Sequence, residues 1–86
     1  MKSRVIEIVN KTGLHTRPGN LFVKEAKQFE SEIWVKKGEE QFNAKSLLKL
    51  MKVGVSRGDK IEIICEGPDE DKALDSLCEL IASLEE

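Results

Sequence analysis

The sequence is poor in the residues that build metal centres and disulfide frameworks. It holds one histidine and two cysteines, whereas a structural zinc site takes about four Cys or His ligands. Cys65 and Cys78 have no Cys-x-x-Cys spacing, and each falls where an apolar residue is expected. We therefore expect neither a metal nor a cofactor, and we interpret both cysteines as buried free thiols rather than as a disulfide.

Strong charge of one sign and long apolar runs are also missing. The 14 basic and 16 acidic residues give a net charge of −2, with both signs scattered along the chain. Non-specific nucleic-acid binding requires a basic face, so nucleic acid is not an expected partner. The apolar runs are far shorter than the roughly 20 residues of a membrane span, and no signal-peptide pattern opens the sequence. We expect a cytoplasmic protein without a membrane partner.

The length of 86 residues is typical of one domain, which we assign to residues 1–86. A chain of this size buries only about 60% of the surface that its unfolded form exposes. A deep substrate cavity is therefore not expected, and the function is expected to lie on the surface.

The pattern of apolar and turn residues predicts seven elements in the order β-α-β-β-α-β-α. Ile61, Ile63 and Cys65 alternate with more polar neighbours, which is typical of a strand with one buried face. This order predicts an α+β fold, an open-faced β-sandwich with a four-stranded antiparallel sheet covered on one face by three helices. Strands are predicted at residues 4–9, 32–37, 40–43 and 60–66, and helices at 18–29, 46–53 and, after the N-cap Asp69, up to 84.

The only histidine, His15, immediately precedes a predicted helix start at Pro18. The first N–H groups of a helix lack internal partners and carry about half a positive charge, so they favour an anion such as a phosphoryl group. Arg17 adds charge-assisted hydrogen bonds, and a neutral imidazole nitrogen is a nucleophile. Thr16 is interpreted as a helix cap or as part of the turn. The alternative is an ordinary surface histidine beside a solvated arginine.

The middle helix is predicted to carry more apolar residues than packing on a sheet requires. Its apolar side chains cover roughly 220° of the circumference, whereas a packed helix needs a stripe a little over 100° wide. We expect the surplus, Leu47, Leu48 and Met51, to be exposed and to bind proteins. Acidic partner rims would suit the basic residues Arg17, Lys24, Lys45 and Lys49. The alternative is a more deeply buried helix.

The motif Gly-Leu-His-x-Arg-Pro at residues 13–18 resembles the active-site loop of HPr, the histidine-containing phosphocarrier family of the bacterial sugar phosphotransferase system. Residues 43–48, Asn-Ala-Lys-Ser-Leu-Leu, are similar to the segment around the regulatory serine of that family. The resemblance implies that His15 accepts a phosphoryl group on Nδ1 from enzyme I, which phosphoenolpyruvate has charged. His15 would pass the group to enzyme IIA domains of sugar permeases, with Arg17 stabilising it.

The resemblance also bears on regulation, although the residues alone favour Ser46 as no more than a helix N-cap. It implies phosphorylation of Ser46 by an HPr kinase/phosphorylase and, as a further partner, a catabolite-control transcription regulator. The chain would be a carrier rather than an enzyme, and transient docking favours a monomer. One alternative is a mainly regulatory HPr-like protein that acts through phospho-Ser46 as a transcription co-regulator, which the presence of His15 opposes. The other is a ferredoxin-like interaction or ligand-binding domain in which the motif is coincidental.

Two residues of the motif region depart from the usual family pattern. Thr16 and Gly19 stand where the family most often has alanine. A glycine inside a helix costs roughly 0.5–1 kcal/mol relative to alanine, so we expect Gly19 to weaken the start of the first helix.

Overall fold

Four strands and three helices follow one another in the predicted order in the computed structural model, which describes residues 1–85. The predicted α+β class and the antiparallel sheet are confirmed. The strands are β1 (Lys2–Glu7), β2 (Glu32–Lys37), β3 (Glu40–Asn43) and β4 (Lys60–Glu66), and the helices are α1 (Thr16–Ala26), α2 (Leu47–Val53) and α3 (Glu70–Ala82).

The sheet has the strand order β1-β4-β2-β3, and every neighbouring pair is antiparallel. Successive side chains of a strand point to opposite faces, so Ile61, Ile63 and Cys65 of β4 all lie on the buried face. Ile33 and Val35 of β2 are in register with Cys65 and Ile63 and share that face. The alternation predicted from the sequence is therefore confirmed.

The three helices cover the buried face of the sheet, and each contributes an inaccessible side chain to the core. These side chains are Phe22 from α1, Leu50 from α2 and Leu77 from α3. The opposite face carries the partly exposed side chains Trp34 and Ile64, as expected for an open-faced sandwich. None of the helices within residues 1–85 combines the length and the apolar character needed to cross a membrane.

The ends of three elements differ from the prediction. The first strand ends at Glu7 rather than at residue 9, because Ile8 leaves the ladder and exchanges backbone hydrogen bonds with Gly58 and Asp59 at 2.7 and 2.8 Å. Helix α1 ends at Ala26, and Phe29 packs against the core from the following turn. Helix α3 ends at Ala82 rather than at residue 84, where Leu84 is the last apolar residue of the predicted pattern. In all three places the apolar pattern continues past the hydrogen-bonded element.

The cysteines are both free, but only one is buried as expected. Cys65 lies in the core, where burial raises the pKa of its thiol to about 11. Cys78 lies on α3 beside Arg4 and is only partly buried. The expectation of a second fully buried thiol was wrong, because Cys78 lies at the margin of the apolar stripe of α3.

Asp69 links the start of α3 to the start of β2. It is the N-cap residue of α3, as predicted, but its carboxylate makes no hydrogen bond to its own helix. Instead it accepts hydrogen bonds from the N–H groups of Glu30 and Ser31, both at 2.9 Å, and from the Ser31 hydroxyl. The N–H of Asp69 donates in return to Ser31 Oγ at 3.2 Å. The buried Ser31 thus fixes α3 against the sheet.

Candidate functional site

His15 is the N-cap residue of α1, with an extended backbone at φ −100° and ψ 156°. Its ring is partly buried and lies beside Gly54, where an added Cβ would be 3.8 Å from His15 Cε1. Gly54 ends α2 with a φ of 77°, a backbone conformation that favours glycine. The ring is therefore held between the start of one helix and the end of another.

The turn before His15 is fixed by the loop at residues 54–59. The buried Leu14 donates its N–H to the Val55 carbonyl at 2.9 Å, and Asn10 Nδ2 donates to the Gly13 carbonyl at 2.8 Å. Gly13 has φ 64°, and a Cβ there would lie only 2.4 Å from the Val55 oxygen and 2.7 Å from Ser56 Cα. Only glycine fits between the two loops.

The two ring nitrogens of His15 differ in their surroundings. Nε2 lies 3.1 Å from the Ser56 hydroxyl oxygen. Within residues 1–85, no side chain or backbone group makes a hydrogen bond to Nδ1. When Nε2 carries the proton and donates it to Ser56, Nδ1 keeps the lone pair that a nucleophile requires. Ser56 was missed from the sequence, since it is 41 residues away and belongs to no motif.

The first turn of α1 presents its positive end beside the ring. No side chain caps the helix, and the first turn contains no acidic residue. The Thr16 hydroxyl donates backwards to the His15 carbonyl at 2.8 Å, so the interpretation of Thr16 as a cap was wrong. Thr16 has φ 51°, the one left-handed non-glycine residue among those described. The exposed Arg17 lines a shallow groove with Leu80, Ser83 and Leu84 at the end of α3.

Gly19 has a packing role that its helix propensity does not reveal. A Cβ at this position would lie 2.5 Å from the Leu14 carbonyl oxygen and 3.0 Å from Met51 Cε. The lack of a side chain thus lets the His15 loop and α2 approach α1 closely. The expectation that Gly19 merely weakens the helix therefore overlooked a steric requirement.

One residue of the 54–59 loop, Asp59, belongs to an ion pair. Asp59 Oδ2 lies 3.0 Å from Lys37 Nζ and accepts the Ser56 N–H at 2.7 Å. The Ser56 N–H and Lys37 lower the pKa of Asp59, with a smaller contribution from the charge of His15. Lys37 Nζ also donates to the Gly54 carbonyl at 2.7 Å. One lysine from the end of β2 therefore ties both ends of the 54–59 loop.

Helix α2 exposes the side chains that its over-wide apolar pattern predicts. Leu48 is 76% exposed, and Leu47 and Met51 are 37% and 38% exposed. Leu21 of α1, which was not singled out from the sequence, is 40% exposed. We call Leu21, Leu47, Leu48 and Met51 the apolar patch. Its Met51 end reaches α1 at Gly19.

The basic residues predicted to suit an acidic partner rim differ in their exposure and hydrogen bonds. Lys24 and Lys49 are exposed. Lys45 Nζ donates instead to the Phe29 carbonyl at 2.7 Å, so its amine is fixed to the end of α1. Within residues 1–85, no cluster of three His, Cys, Asp or Glu side chains could hold a metal ion.

Ser46 is the N-cap of α2, as its sequence context predicts. Its side chain accepts the Lys49 N–H at 3.2 Å. It is partly exposed and lines an open groove with Trp34, Phe42 and Lys49. The hydroxyl is therefore at the surface while it also stabilises the helix.

Comparison with known proteins gives one consistent family. The model of the family described as "PTS HPr component phosphorylation site" matches residues 2–83. The phosphocarrier protein HPr of Haemophilus influenzae is 46% identical over 85 residues, 99% of this chain and 100% of that protein. The HPr-like protein Crh of Bacillus subtilis is 42% identical over 77 residues, 90% of this chain and 91% of that protein.

Solved structures agree with the curated relatives. HPr of Thermoanaerobacter tengcongensis superposes with a TM-score of 0.95 at 49% identity, covering 96% of this chain and 93% of that chain. A dimer of HPr from the same organism has a TM-score of 0.78, with 96% and 95% of the chains covered. Crh of Bacillus subtilis, described as a catabolite repression protein and a swapped dimer, has a TM-score of 0.74 at 39% identity, with 95% and 94% covered.

Proposed function

Because this chain belongs to the HPr family of phosphocarrier proteins, we propose that His15 carries a phosphoryl group between proteins. Nδ1 accepts the group from phosphorylated enzyme I and passes it to enzyme IIA domains of sugar permeases in the cytoplasm. The observation that carries the proposal is the contact between Ser56 and Nε2 of His15, the N-cap residue of α1, because a proton on Nε2 that donates to Ser56 leaves the lone pair on Nδ1.

The proposed transfer uses the lone pair of Nδ1 to form a bond to phosphorus while the bond from phosphorus to the donor breaks. Negative charge is spread over the three peripheral phosphoryl oxygens in such a transfer. The uncapped first turn of α1 offers backbone N–H groups and the positive helix end to these oxygens. Arg17, in the same turn, adds a guanidinium that suits phosphoryl oxygens. The chain thus acts as a carrier and not as an enzyme.

The apolar patch is the proposed docking surface for both partners. It lies beside the acceptor, since Met51 packs at Gly19 and α2 ends at the Gly54 contact with His15. Lys24 and Lys49 would form its basic rim, and Thr16 would contact the partner next to the ring. Acidic groups around a complementary hollow on the partner would steer this encounter.

We predict that incubation with enzyme I and phosphoenolpyruvate labels the protein with acid-labile, base-stable phosphate. His15→Ala abolishes this label because the accepting nitrogen is removed, whereas Ser46→Ala retains it. The measurement is incorporation of radiolabelled phosphate, followed by acid and base treatment. Label that survives in the His15→Ala protein would refute the proposal.

A second function is favoured by the exposed capping serine and by the similarity to Crh. In this proposal an HPr kinase/phosphorylase phosphorylates Ser46, and the phosphorylated protein acts on a catabolite-control transcription regulator. Phosphate at Ser46 would bring close to two negative charges to the positive end of α2. It would therefore stabilise the helix and change the charge of the docking surface without unfolding it.

ATP-dependent labelling by such a kinase is expected to give acid-stable phosphate that Ser46→Asn removes. Asparagine is the matched variant, because it caps a helix about as well as serine but has no hydroxyl to phosphorylate. The far-ultraviolet circular dichroism and melting temperature of Ser46→Asn should match those of the unmodified protein. Acid-stable label on Ser46→Asn would place the modification at another residue.

The monomer expected from transient docking is not a rule of the family. One solved HPr relative and the Crh relative are described as dimers. The proposal that this chain acts as a monomer therefore rests on the docking argument alone, and light scattering at transfer concentrations tests it.

A further inference from the structure

The loop at residues 54–59 provides the only hydrogen bond to the His15 ring within residues 1–85. Ser56, which supplies it, lies in no sequence motif and outside the apolar patch. Its hydroxyl oxygen is 3.1 Å from Nε2, whereas the proposed acceptor is the other ring nitrogen, Nδ1. The loop can therefore act on the acceptor without touching the transferred group.

Ser56 is held in place by two hydrogen bonds to Asp59, which Lys37 contacts in turn. Its N–H donates to Asp59 Oδ2 at 2.7 Å, and its carbonyl accepts the Asp59 N–H at 3.0 Å. Lys37 Nζ, on β2, contacts Asp59 Oδ2 at 3.0 Å and donates to the Gly54 carbonyl at 2.7 Å. The loop is thus closed by one lysine at both ends.

The same loop is also paired with the segment that precedes His15. Backbone hydrogen bonds join Leu14 to Val55 at 2.9 Å, Gly58 to Ile8 at 2.7 Å and Ile8 to Asp59 at 2.8 Å. The backbone segments that carry Ser56 and His15 are therefore joined by hydrogen bonds. A side-chain hydrogen bond between segments that are already joined costs less ordering entropy when it forms, so it can select between two states of the ring.

We propose that Ser56, braced by Asp59 and Lys37, is a positioning residue that holds His15 in the tautomer with the proton on Nε2. In this tautomer the Nε2–H donates to Ser56 Oγ, and Nδ1 bears the lone pair. The proposal rests on the carrier function proposed for His15. It adds a set of residues to that function, Lys37, Ser56 and Asp59, that acts through the ring and not on the phosphoryl group.

The positive charge that the ring gains during the transfer gives Ser56 a second effect. Nδ1 donates its lone pair to phosphorus, the phosphorus–donor bond breaks, and its electron pair stays with the donor. Nε2 keeps its proton throughout, so the ring gains positive charge as the bond to Nδ1 forms. The Ser56 oxygen accepts from this more strongly donating N–H and therefore stabilises the phosphorylated ring.

The test measures the tautomer and the transfer rate in Ser56→Ala and in Ser56→Thr, which keeps the hydroxyl. Long-range 1H–15N NMR spectra of the neutral His15 ring report which nitrogen carries the proton, without any phosphoryl donor. Ser56→Ala should raise the ratio of the Nδ1–H to the Nε2–H form, and lower the rate of phosphoryl acceptance from enzyme I, each by about three- to tenfold. Ser56→Thr should restore both values.

Two further variants separate positioning from a general structural effect. Ser3→Ala, on exposed β1, is the matched control and should leave the tautomer ratio and the rate unchanged. Asp59→Asn keeps an oxygen for the Ser56 N–H but removes the charge, and it should slow transfer less than Ser56→Ala does. An unchanged tautomer ratio in Ser56→Ala, or a Ser56→Thr protein as slow as Ser56→Ala, would overturn the inference. Failure of the wild-type protein to accept phosphate on His15 would instead overturn the carrier function, since the tautomer measurement needs no transfer.

Discussion

Gly13→Ala is expected to be the most damaging single-methyl substitution near the site. The new Cβ would lie 2.4 Å from the Val55 carbonyl oxygen and 2.7 Å from Ser56 Cα, and both are backbone atoms that no rotamer change can move. The left-handed φ of 64° adds about 1–2 kcal/mol for a residue with a Cβ. Overpacking adds about 1–3 kcal/mol. The melting temperature should fall by more than about 10 °C.

The same substitution should also impair phosphoryl acceptance, because relief of the clash moves the 54–59 loop away from His15. Gly38→Ala is the matched control, since Gly38 has φ 61° but no atom within 4 Å of its added Cβ. Gly38→Ala therefore has only the conformational cost of the left-handed φ, and Gly38 lies in the β2–β3 turn. Thermal unfolding and the rate of label uptake measure both effects. Equal losses of stability in the two variants would show that the loops do not require the close approach at Gly13.

Ser31→Ala is expected to lower the free energy of unfolding by about 1.5–3 kcal/mol, the range for hydrogen bonds to a charged group. The buried Ser31 hydroxyl donates to the Asp69 carboxylate and accepts the Asp69 N–H. Alanine removes both interactions and leaves the Asp69 N–H without this acceptor. Urea unfolding at constant slope measures the loss. A loss of unfolding free energy no larger than that of Ser3→Ala, at an exposed serine, would contradict this prediction.

Asp69→Asn should destabilise the protein near neutral pH but progressively less in acid. The Ser31 hydroxyl, and then the N–H groups of Glu30 and Ser31, hold the pKa of Asp69 below its ordinary value. A carboxyl whose folded pKa is depressed stabilises the fold above its unfolded pKa of about 4, and this contribution is lost as the pH falls through the folded pKa. The gap between wild type and variant should therefore close below about pH 4.

Asp71→Asn is the matched control for this pH dependence. Asp71 belongs to the same helix turn, but it is 76% exposed and lies 3.7 Å from Lys2. Exposed ion pairs contribute little, so this variant should unfold like the wild type at every pH. A gap for Asp69→Asn that persists unchanged in acid would mean that the charge of Asp69 is not what stabilises the junction.

The sequence was sufficient to predict the structure wherever that structure depends on residues that are neighbours along the chain. Alternation located the buried face of β4, and the cap residues Ser46 and Asp69 were identified from their local context. The predicted ends of β1 and α1 were wrong because Ile8, which is buried, and Phe29, which is partly buried, lie beyond the last residues of these elements. Apolar periodicity reports burial, and burial does not stop where hydrogen bonding does.

The parts of the site that could not be predicted come from distant segments. His15 and Arg17 are evident from their motif, but Ser56, Asp59 and Lys37 are ordinary polar residues whose relation to the ring exists only after folding. The steric need for Gly19 likewise depends on the path of the Leu14 carbonyl. Helix propensity alone predicts that alanine would be more stable than Gly19 in this helix. It considers only the helix that contains the residue.

The pairing of β1 with β4 has a consequence for protein synthesis. Lys2 is in register with Cys65, and the loop that holds His15 bonds to residues 55–59. A nascent chain that has not yet released β4 from the ribosome therefore has no partner for β1 and nothing to order the His15 turn. Contacts between such distant segments form late in folding. Under the proposed carrier function, acceptor activity should appear only after β4 has emerged, so a translation product that ends before β4 would not compete for phosphoryl groups.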